Sequence, residues 1–481
     1  MKQADVGLIG LAVMGQNLAL NISDRNYTVS VFNRTKSKTD DFLNGPAKNK
    51  NIIASYSLEN FFSSLKSPKK VILMVKAGDP VDSFIDMCIP HMDSGDILLD
   101  GGNSHFLDTN RRCRELKKKG VLFIGTGISG GEEGARNGPS IMPGGEKKAW
   151  EHLQTLLQNI SAKTPNGSPC CEWIGEEGSG HYVKMIHNGI EYGDMQLICE
   201  AYDFMKKSLR LSSTELQQVF AKWNKGKLDS YLIEITSKIF AYKDETSTPI
   251  IEKILDTAGQ KGTGKWVSEN ALEMGYPLTL ISEAVFARCL SSMKEERIAA
   301  KQVLQGPDPI FQGNKEEIIQ SLEEALYASK IISYAQGFAL IQKAKQKYAW
   351  SIDLKKLAAL WQGGCIIRSR FLEKIREAYE KDPDLKNLLL HEFFKKEIQK
   401  AQEGWRKIVA LSANLGIPIP CFSAALSYYD AYRSDLLPAN LLQAQRDFFG
   451  AHTYERIDKR RGEFFHTNWN DVENNEFLLC K

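Results

Sequence analysis

The chain has 481 residues, enough for about two to four domains with cores of their own. Hydrophobic residues make up 42% and charged residues 25%, values of a folded protein that exclude an intrinsically disordered chain. Sixty-two Lys and Arg against 59 Asp and Glu leave a net charge of +3. This balance excludes a strongly basic nucleic-acid-binding protein but leaves room for local clusters that bind small anions.

Neither membrane insertion nor a disulfide framework is expected. The most apolar stretches, such as residues 71–75, are far shorter than the ~20 residues of a spanning helix. The first residues lead directly into a strand pattern, without the charged and apolar regions of a secretion signal. The nine cysteines are odd in number, scattered and without a CxxC pair, so we expect reduced thiols in a cytoplasmic protein.

Residues 1–178 alternate short apolar runs with helix-length polar segments. The apolar runs predict parallel strands covered on both faces, because they are apolar along their length rather than alternating. Helical patterns lie between them, and this rhythm predicts a Rossmann-like doubly wound parallel sheet. The predicted strands are 6–9, 28–32, 52–54, 71–75, 97–99 and 121–124, and the predicted helices include 14–25, 79–91 and 108–119.

The pattern changes at a glycine-rich junction, residues 175–180. Apolar residues then recur at three- and four-residue steps, so residues 179–435 are predicted to form a large all-helical domain. Two helices that begin at Lys184 and Lys330 have similar apolar patterns, and Trp223 after the first is echoed by Trp361 after the second. An internal duplication and chance similarity both explain this echo.

Residues 436–481 are predicted to be a separate C-terminal tail. They contain a basic run at 459–461 and the aromatic residues Phe464, Phe465 and Trp469. Such a segment is either disordered or docked on another subunit, and its aromatic content favours docking.

A glycine-rich turn follows the first predicted strand. Gly10 and Gly15 match the first and last glycines of the GxGxxG fingerprint, with Ala12 in place of the second. The first glycine permits a tight turn, the last permits close packing of helix on strand, and the helix N-terminus binds a pyrophosphate. The turn therefore predicts dinucleotide binding by six consecutive residues: Gly10, Leu11, Ala12, Val13, Met14 and Gly15.

The end of the second strand indicates which dinucleotide binds. NAD sites place Asp or Glu there, about 20 residues after the first glycine, to bind the ribose 2′-hydroxyl. This chain has Asn33, Arg34 and Thr35 instead. A planar guanidinium suits a 2′-phosphate, with Thr35 as a further donor, so we predict NADP; the alternative is that Arg34 is an ordinary surface residue.

Five polar residues share one face of the helix after the junction. Lys184, His187, Asn188, Glu191 and Tyr192 follow one another at helical spacing. Such a stripe is either a solvated helix face or a set of reactive groups in a site. His187 and Glu191 have the spacing of a metal-ligand pair, but Lys184 would repel a cation and no acidic cluster adds ligands, so no metal is predicted.

Three glycine-containing loops are candidate anion sites. Asn103 follows one predicted strand and residues 127–131 follow the next, and ligands of open α/β sheets bind at such strand ends. The segment 259–266 combines three glycines with Lys261 and Lys265. It does not have P-loop spacing, and it is either an anion-binding loop or a flexible surface loop.

Together these motifs resemble those of the decarboxylating 6-phosphogluconate dehydrogenases of the pentose phosphate pathway. The similarity includes the glycine turn with its alanine, 33–35, 129–131, the polar stripe and 254–266, and it extends from Asp5 to about Trp469. The resemblance implies oxidation and decarboxylation of 6-phosphogluconate to ribulose 5-phosphate, CO2 and NADPH. It also implies a homodimer with shared active sites, in which Arg446 and His452 reach the neighbouring subunit.

The resemblance implies a role for each site residue. Lys184 resembles the general base that takes the proton of the substrate 3-hydroxyl and then, protonated, stabilises the ketone oxygen where other enzymes use a metal. Glu191 resembles the acid that protonates C1 of the enediol. Further cofactor contacts are implied for Val75, Lys76, Ala77 and Asn103. Substrate contacts are implied for Asn103, Ser129, Gly130, Gly131, His187, Asn188, Tyr192, Lys261, Arg288, Arg446 and His452.

Two other functions fit parts of this pattern. A related NADP-dependent dehydrogenase of 3-hydroxy acids would not need Lys261, Arg288 and Arg446 together to bind a phosphate. A non-catalytic NADPH-binding scaffold would not need both Lys184 and Glu191. The presence of all five residues favours the enzyme with a phosphorylated substrate, without nucleic-acid or membrane partners.

Overall fold

The computed structural model describes residues 3–259 and 262–470. The chain divides into two compact units, Met1–Leu426 and Ser427–Lys481. In the described ranges, every helix is too short or too polar to cross a lipid bilayer. The eight cysteines within these ranges are all free thiols. The cytoplasmic location stays a prediction.

A seven-stranded sheet forms the amino-terminal part of the first unit, in the order β3-β2-β1-β4-β5-β6-β7. The first six strands run parallel, and β7 pairs antiparallel with β6. Each of the six predicted strands overlaps one of these, so the doubly wound sheet is confirmed; β7 is an addition. The strands are β1 (Val6–Ile9), β2 (Val29–Phe32), β3 (Ile52–Ser55), β4 (Lys70–Leu73), β5 (Ile97–Asp100), β6 (Leu122–Ile128) and β7 (Ile141–Gly145).

Both faces of the sheet are buried under helices. Along β5, Ile97 and Leu99 belong to one hydrophobic cluster and Leu98 to another, because successive side chains point to opposite faces. This explains why the strands are apolar along their whole length. The helices of this part are α1 (Val13–Asp24), α2 (Lys36–Asn44), α3 (Leu58–Ser63), α4 (Asp79–Cys88), α5 (Phe106–Lys118), α6 (Gly131–Asn137) and α7 (Lys147–Ile160), with a 3₁₀ turn at Ile89–His91.

The rest of the first unit is helical, as predicted. Two long helices, α8 and α14, pack against each other, and most of their side chains are buried. The domain limits at 178 and 435 and the internal duplication stay predictions. The helices are α8 (Ser179–Lys207), α9 (Ser213–Trp223), α10 (Tyr231–Ala241), α11 (Thr263–Glu273), α12 (Thr279–Ser292), α13 (Lys294–Val303), α14 (Lys315–Tyr348), α15 (Leu354–Leu360), α16 (Leu372–Lys381) and α17 (Glu392–Leu415), with 3₁₀ turns at Ile250–Lys253 and Leu388–Leu390. The next helix, α18 (Pro420–Tyr432), includes the last residues of the first unit and the first residues of the second.

The first turns of α8 lie directly on the sheet. A Cβ atom at Gly180 would lie 2.4 Å from the carbonyl oxygen of Met142 and 2.5 Å from that of Gly125, so only glycine allows this approach. One turn later, a Cβ atom at Gly127 would lie 2.4 Å from the Cβ atom of Lys184. Glycines on both sides therefore let α8 pack on β6 and β7 and bring Lys184 to the carboxyl end of β6.

The second unit contains α19 (Ala439–Gly450), β8 (Tyr454–Glu455) and β9 (Phe464–Phe465). The two strands β8 and β9 pair antiparallel. Its centre is the buried carboxylate of Asp447. This group accepts hydrogen bonds from the backbone N–H groups of Thr453 and Thr467, each at 3.0 Å, and from the Trp469 indole at 2.8 Å. Docking of this tail on another subunit stays a prediction.

Candidate active site

The glycine turn connects β1 to α1 with the geometry of a pyrophosphate-binding turn. Gly10 has φ +104°, which strains any side chain, and a Cβ atom at Gly15 would lie 1.9 Å from the carbonyl oxygen of Gly10. The two glycines therefore permit the tight turn and the close approach of α1 that this fingerprint requires. Ala12 is the N-cap of α1 and offers no side-chain acceptor, so the first N–H groups of the helix remain available to an anion.

The turn after β2 is tied to the glycine turn by Asn33. Its Oδ1 accepts a hydrogen bond from the backbone N–H of Leu11 at 3.0 Å, and its Nδ2 donates to the Thr35 carbonyl at 3.0 Å. Arg34, between Asn33 and Thr35 in the chain, has an exposed side chain that forms no ion pair with any described residue. A cation thus stands beside the cofactor turn, and 33–35 contains no carboxylate, so these residues fit NADP.

The other two predicted cofactor segments lie at neighbouring strand ends. Residues 75–77 lie between β4 and α4, and Asn103 lies between β5 and α5. A Cβ atom at Gly102 would lie 3.1 Å from the carbonyl oxygen of Val75, so the two segments run side by side.

A cavity of about 640 Å³ opens at these strand ends, within the usual size of a small-molecule site. It brings together ten predicted residues from the glycine turn, the loops after β5 and β6, α8 and α12. These are Met14, Asn103, Ser129, Gly130, Gly131, Lys184, Asn188, Glu191, Tyr192 and Arg288.

Five lining residues were not predicted as individual contacts, namely Ile128, Met195, Gly259, Thr263 and Ile366. Ile128 lies in the predicted anion-binding loop at 127–131. Gly259 and Thr263 belong to the glycine-rich segment at 259–266. Ile366 follows Gly364, whose carbonyl oxygen would lie 2.6 Å from a Cβ atom at Gly130. The glycine pair at 363–364 is therefore the sequence signal for a close approach of this segment.

His187 lies behind the cavity wall. Its side chain is fully buried, with Nε2 3.2 Å from the Ser129 hydroxyl and Nδ1 3.2 Å from the Asn188 Oδ1 atom. Burial, and then the charge of Lys184, hold the pKa of His187 well below its usual value. A neutral imidazole therefore fixes the orientation of Ser129 and Asn188, two of the predicted substrate contacts.

Lys184 and Glu191 lie two turns apart on the cavity face of α8. Burial lowers the pKa of Lys184, although the neighbouring Glu191 acts in the opposite direction. Burial raises the pKa of Glu191, which Lys184 and Arg288 lower and Asp194 raises. These shifts bring the two pKa values closer, so a neutral amine and a protonated carboxyl become accessible in one site.

Arg288 and Tyr192 form one wall of the cavity. The guanidinium carbon of Arg288 lies 3.5 Å from the centre of the Tyr192 ring, and Nη1 donates to the Gly259 carbonyl at 3.2 Å. A Cβ atom at Gly264 would lie 2.5 Å from the Tyr192 ring, so α11 holds the ring in place. This wall carries positive charge suited to a phosphate.

Four predicted substrate contacts, namely His187 and the three that follow, are not among the described residues that line this cavity. Lys261 lies outside the described residues. Arg446, on α19, and His452 belong to the second unit, and their contribution to a site stays a prediction. Among the described residues, no three His, Cys, Asp or Glu side chains form a group that could hold a metal ion. The metal-independent reaction also stays a prediction.

A dinucleotide-binding turn at the carboxyl end of a parallel strand, beside a cavity that contains a lysine–glutamate pair, defines a dinucleotide-dependent oxidoreductase. The family model described as the NAD binding domain of 6-phosphogluconate dehydrogenase matches residues 5–175, and that of the 6-phosphogluconate dehydrogenase C-terminal domain matches residues 180–469. The chain belongs to the 6-phosphogluconate dehydrogenase family.

Relatives over the whole chain agree with this assignment. Proteins named 6-phosphogluconate dehydrogenase, decarboxylating, are 57% identical over 470 residues in Mus musculus and 58% identical over 467 residues in Haemophilus influenzae. The first alignment covers 98% of this chain and 97% of the relative, and the second covers 97% and 96%.

A solved structure is similar over the same length. The Plasmodium falciparum 6-phosphogluconate dehydrogenase, described in its apo form and in complex with NADP+ and with 6-phosphogluconate, is 44% identical, with a TM-score of 0.93. The match covers 97% of this chain and 100% of that chain. The predicted family, fold class, cofactor and NADP-dependent oxidoreductase activity are thereby confirmed.

Proposed function

We propose that this chain oxidises and decarboxylates 6-phospho-D-gluconate, with products D-ribulose 5-phosphate, CO2 and NADPH. The observation that carries the proposal is the pair of Lys184 and Glu191 on one face of α8, with opposite pKa shifts, in a cavity whose wall contains Arg288. A base, an acid and a phosphate-binding cation are the groups that this reaction needs. The names of the relatives support the same substrate.

Lys184 acts first, as the base. Its burial favours the neutral amine, which takes the proton of the substrate 3-hydroxyl as C3 is oxidised to a ketone. When bound, NADP+ supplies the hydride acceptor for this oxidation. The turn at 10–15, Asn33 and Arg34 hold the cofactor, and segments 75–77 and 103 complete its site.

Lys184 then acts as the electrophile, in its protonated form. The C1–C2 bond of the β-keto acid breaks, CO2 leaves, and the bonding electrons move toward the ketone oxygen. The ammonium stabilises the negative charge that develops there, inside a cavity where such an interaction is strong. No metal ion is needed for this step when a buried ammonium takes its place.

Glu191 completes the reaction as the acid. The enediol left after CO2 release becomes ribulose 5-phosphate when its C1 carbon, which was C2 of the substrate, gains a proton. The raised pKa of Glu191 keeps a fraction of this carboxyl protonated for that transfer.

The remaining residues hold the substrate. Asn103, Ser129, His187 and Asn188, with the backbone of 130–131, hold its carboxylate and hydroxyls. Tyr192, Lys261 and Arg288 hold the phosphate. In a homodimer with shared sites, the neighbouring chain adds Arg446, with His452 nearby.

The test is the formation of NADPH, followed by absorbance at 340 nm, from 6-phosphogluconate and NADP. We expect turnover by the unmodified protein and none by Lys184→Met, because one amine serves both steps. Lys206→Met is the control, since Lys206 is an exposed lysine near the other end of the same helix. Near-normal rates in Lys184→Met would remove the proposed base. Equal use of gluconate without its phosphate would favour a general 3-hydroxy acid dehydrogenase.

A further inference from the structure

Arg112 of α5 is a buried cation that contacts three separate segments near the carboxyl ends of β4 and β5. It is 1% exposed. Nε and Nη2 donate to the Asp82 carboxylate on α4 at 2.9 and 2.7 Å, and Nη2 also donates to the carbonyl of Gly78 at 3.2 Å. Nη1 lies 3.5 Å from the Asp100 carboxylate and 3.4 Å from the Ser104 hydroxyl.

One side of this network holds the segment that carries Asn103. Asp100 is fully buried at the end of β5, where Oδ1 accepts the Gly102 N–H at 3.0 Å and Oδ2 accepts the Ser104 hydroxyl at 2.5 Å. These bonds close the loop around Asn103, which lines the active-site cavity. The position of Asn103 therefore depends on Asp100, and Asp100 on Arg112.

The other side holds the cofactor segment. Gly78 follows residues 75–77 directly and has φ +87° at the start of α4. Arg112 donates hydrogen bonds to the Gly78 carbonyl and to Asp82 one turn further on, and so connects both to α5. One guanidinium thus joins the cofactor segment to the loop that carries Asn103.

A third contact connects the network to α8. Thr109, on the same helix as Arg112, has its hydroxyl 2.7 Å from Nδ1 of His181, and His181 lies one turn before Lys184. Burial lowers the pKa of His181, and the charges of Asp100 and Arg112 also act on it.

We propose that Arg112 is a positioning residue that couples the cofactor segment 75–78 to the substrate segment 100–104. The planar guanidinium distributes its donors among three segments at once, which the compact ammonium of lysine does not do. Burying two charges costs desolvation energy, so such a pair adds little net stability and its geometry is the feature to explain. The consequence is that neither segment shifts without the other. This inference rests on the proposed function for its substrate.

The variants separate the two sides of the network. Arg112→Lys should raise KM both for the cofactor NADP and for the phosphorylated substrate and lower kcat about 10- to 100-fold, because small misplacements of reacting groups are costly. Ser104→Ala should raise KM for the phosphorylated substrate more than KM for NADP, because Asn103 is a proposed contact of both. Asp82→Asn should weaken NADPH binding, measured by fluorescence titration, with a smaller effect on the substrate. Arg114→Lys is the control on the same helix, since Arg114 is exposed and pairs with Glu177 at 2.8 Å.

Two results would overturn the coupling. One is an Arg112→Lys protein with a lower melting temperature but the KM values and NADPH affinity of the Arg114→Lys control. The other is an effect of Arg112→Lys on one ligand alone. If Arg112→Lys does not fold, the opposite selectivities of Ser104→Ala and Asp82→Asn decide, and equal effects of both on both ligands contradict the two-sided network. An unmodified protein that binds NADPH but does not turn over 6-phosphogluconate would refute the proposed function, while the NADPH titrations still test the cofactor side.

Discussion

The ammonium of Lys330 lies 2.5 Å from the carboxylate of Asp194, and both side chains are buried where α14 packs on α8. Asp194 is three residues beyond Glu191 on α8, and its charge is one of the causes that raise the pKa of Glu191. In the apolar pattern that α8 and α14 share, Lys330 of α14 corresponds to Lys184 of α8. The second lysine thus supports the helix that carries the site.

Removing one partner of this pair should be costly. Lys330→Met leaves the Asp194 carboxylate buried without its counter-charge, and we expect a loss of about 3–5 kcal/mol in the free energy of unfolding. The double variant Asp194→Leu with Lys330→Met removes both charges and should recover most of that loss. Urea unfolding of both variants measures the difference. A double variant as unstable as the single one would show that packing, not charge, dominates at this position.

Arg34 should determine the choice of cofactor. In Arg34→Ala we expect kcat/KM for NADP to fall, and the corresponding loss of transition-state stabilisation to be about 1.5–3 kcal/mol, the range of a hydrogen bond to a charged group. The value of kcat/KM for NAD should stay the same. Lys36→Ala removes another exposed cation, at the first residue of α2, and is the control. Equal efficiency with both cofactors in the unmodified protein would contradict the assignment.

The pH dependence should reflect the coupled pair of Lys184 and Glu191. The reaction needs the amine neutral and the carboxyl protonated, so kcat should fall at both low and high pH, with apparent pKa values that belong to the pair. Glu191→Gln removes the group that loses its proton as pH rises. Its residual activity should therefore rise with pH as Lys184 becomes neutral, without the alkaline decline. An unchanged bell-shaped profile in this variant would assign the alkaline limb to another group.

Chelation should leave the activity intact. The proposed electrophile is the protonated Lys184, so treatment with excess EDTA followed by gel filtration should not change the rate of NADPH formation. Activity that disappears and returns with magnesium or manganese would instead favour His187 and Glu191 as metal ligands.

The tail should complete the site of the neighbouring chain. If Arg446 acts in trans, neither Arg446→Ala nor Lys184→Met is fully active alone, but a mixed dimer has one site with both residues intact. Mixing the two variants after subunit exchange should restore part of the activity, with mixing of Lys184→Met and unmodified chains as the reference. No recovery in dimers shown to be mixed, or an active monomer at high dilution, would argue for sites within single chains.

The strands that the sequence predicts are those whose burial on both faces requires continuous apolar runs. β7 lacks that signal, because its residues Ile141–Gly145 include Pro143 and two glycines, which disfavour strand formation. It forms because an antiparallel edge strand tolerates a proline and because Gly144 and Gly145 allow α8 and β6 to approach.

The site is predictable where it lies on one element and less so where it is assembled from several. Helical spacing alone places Lys184, His187 and Glu191 on one face, but not the burial that shifts their pKa values, since this depends on how α8 packs on β6. The approach of Gly364 to Gly130, and with it Ile366, depends on residues more than 200 positions apart in the chain. A local glycine pair indicates that a close approach is possible, but it does not show which distant segment makes the contact.

The close contact of Gly180 with Met142 and Gly125 has a mechanical meaning for the enzyme. A hinge needs free space for two bodies to rotate, and the first turn of α8 has none where it meets β6 and β7. Strands β6 and β7 and the part of α8 that carries Lys184 must therefore move as one body during turnover. Lys184 and the loop after β6 then keep their relative positions while substrate enters and product leaves.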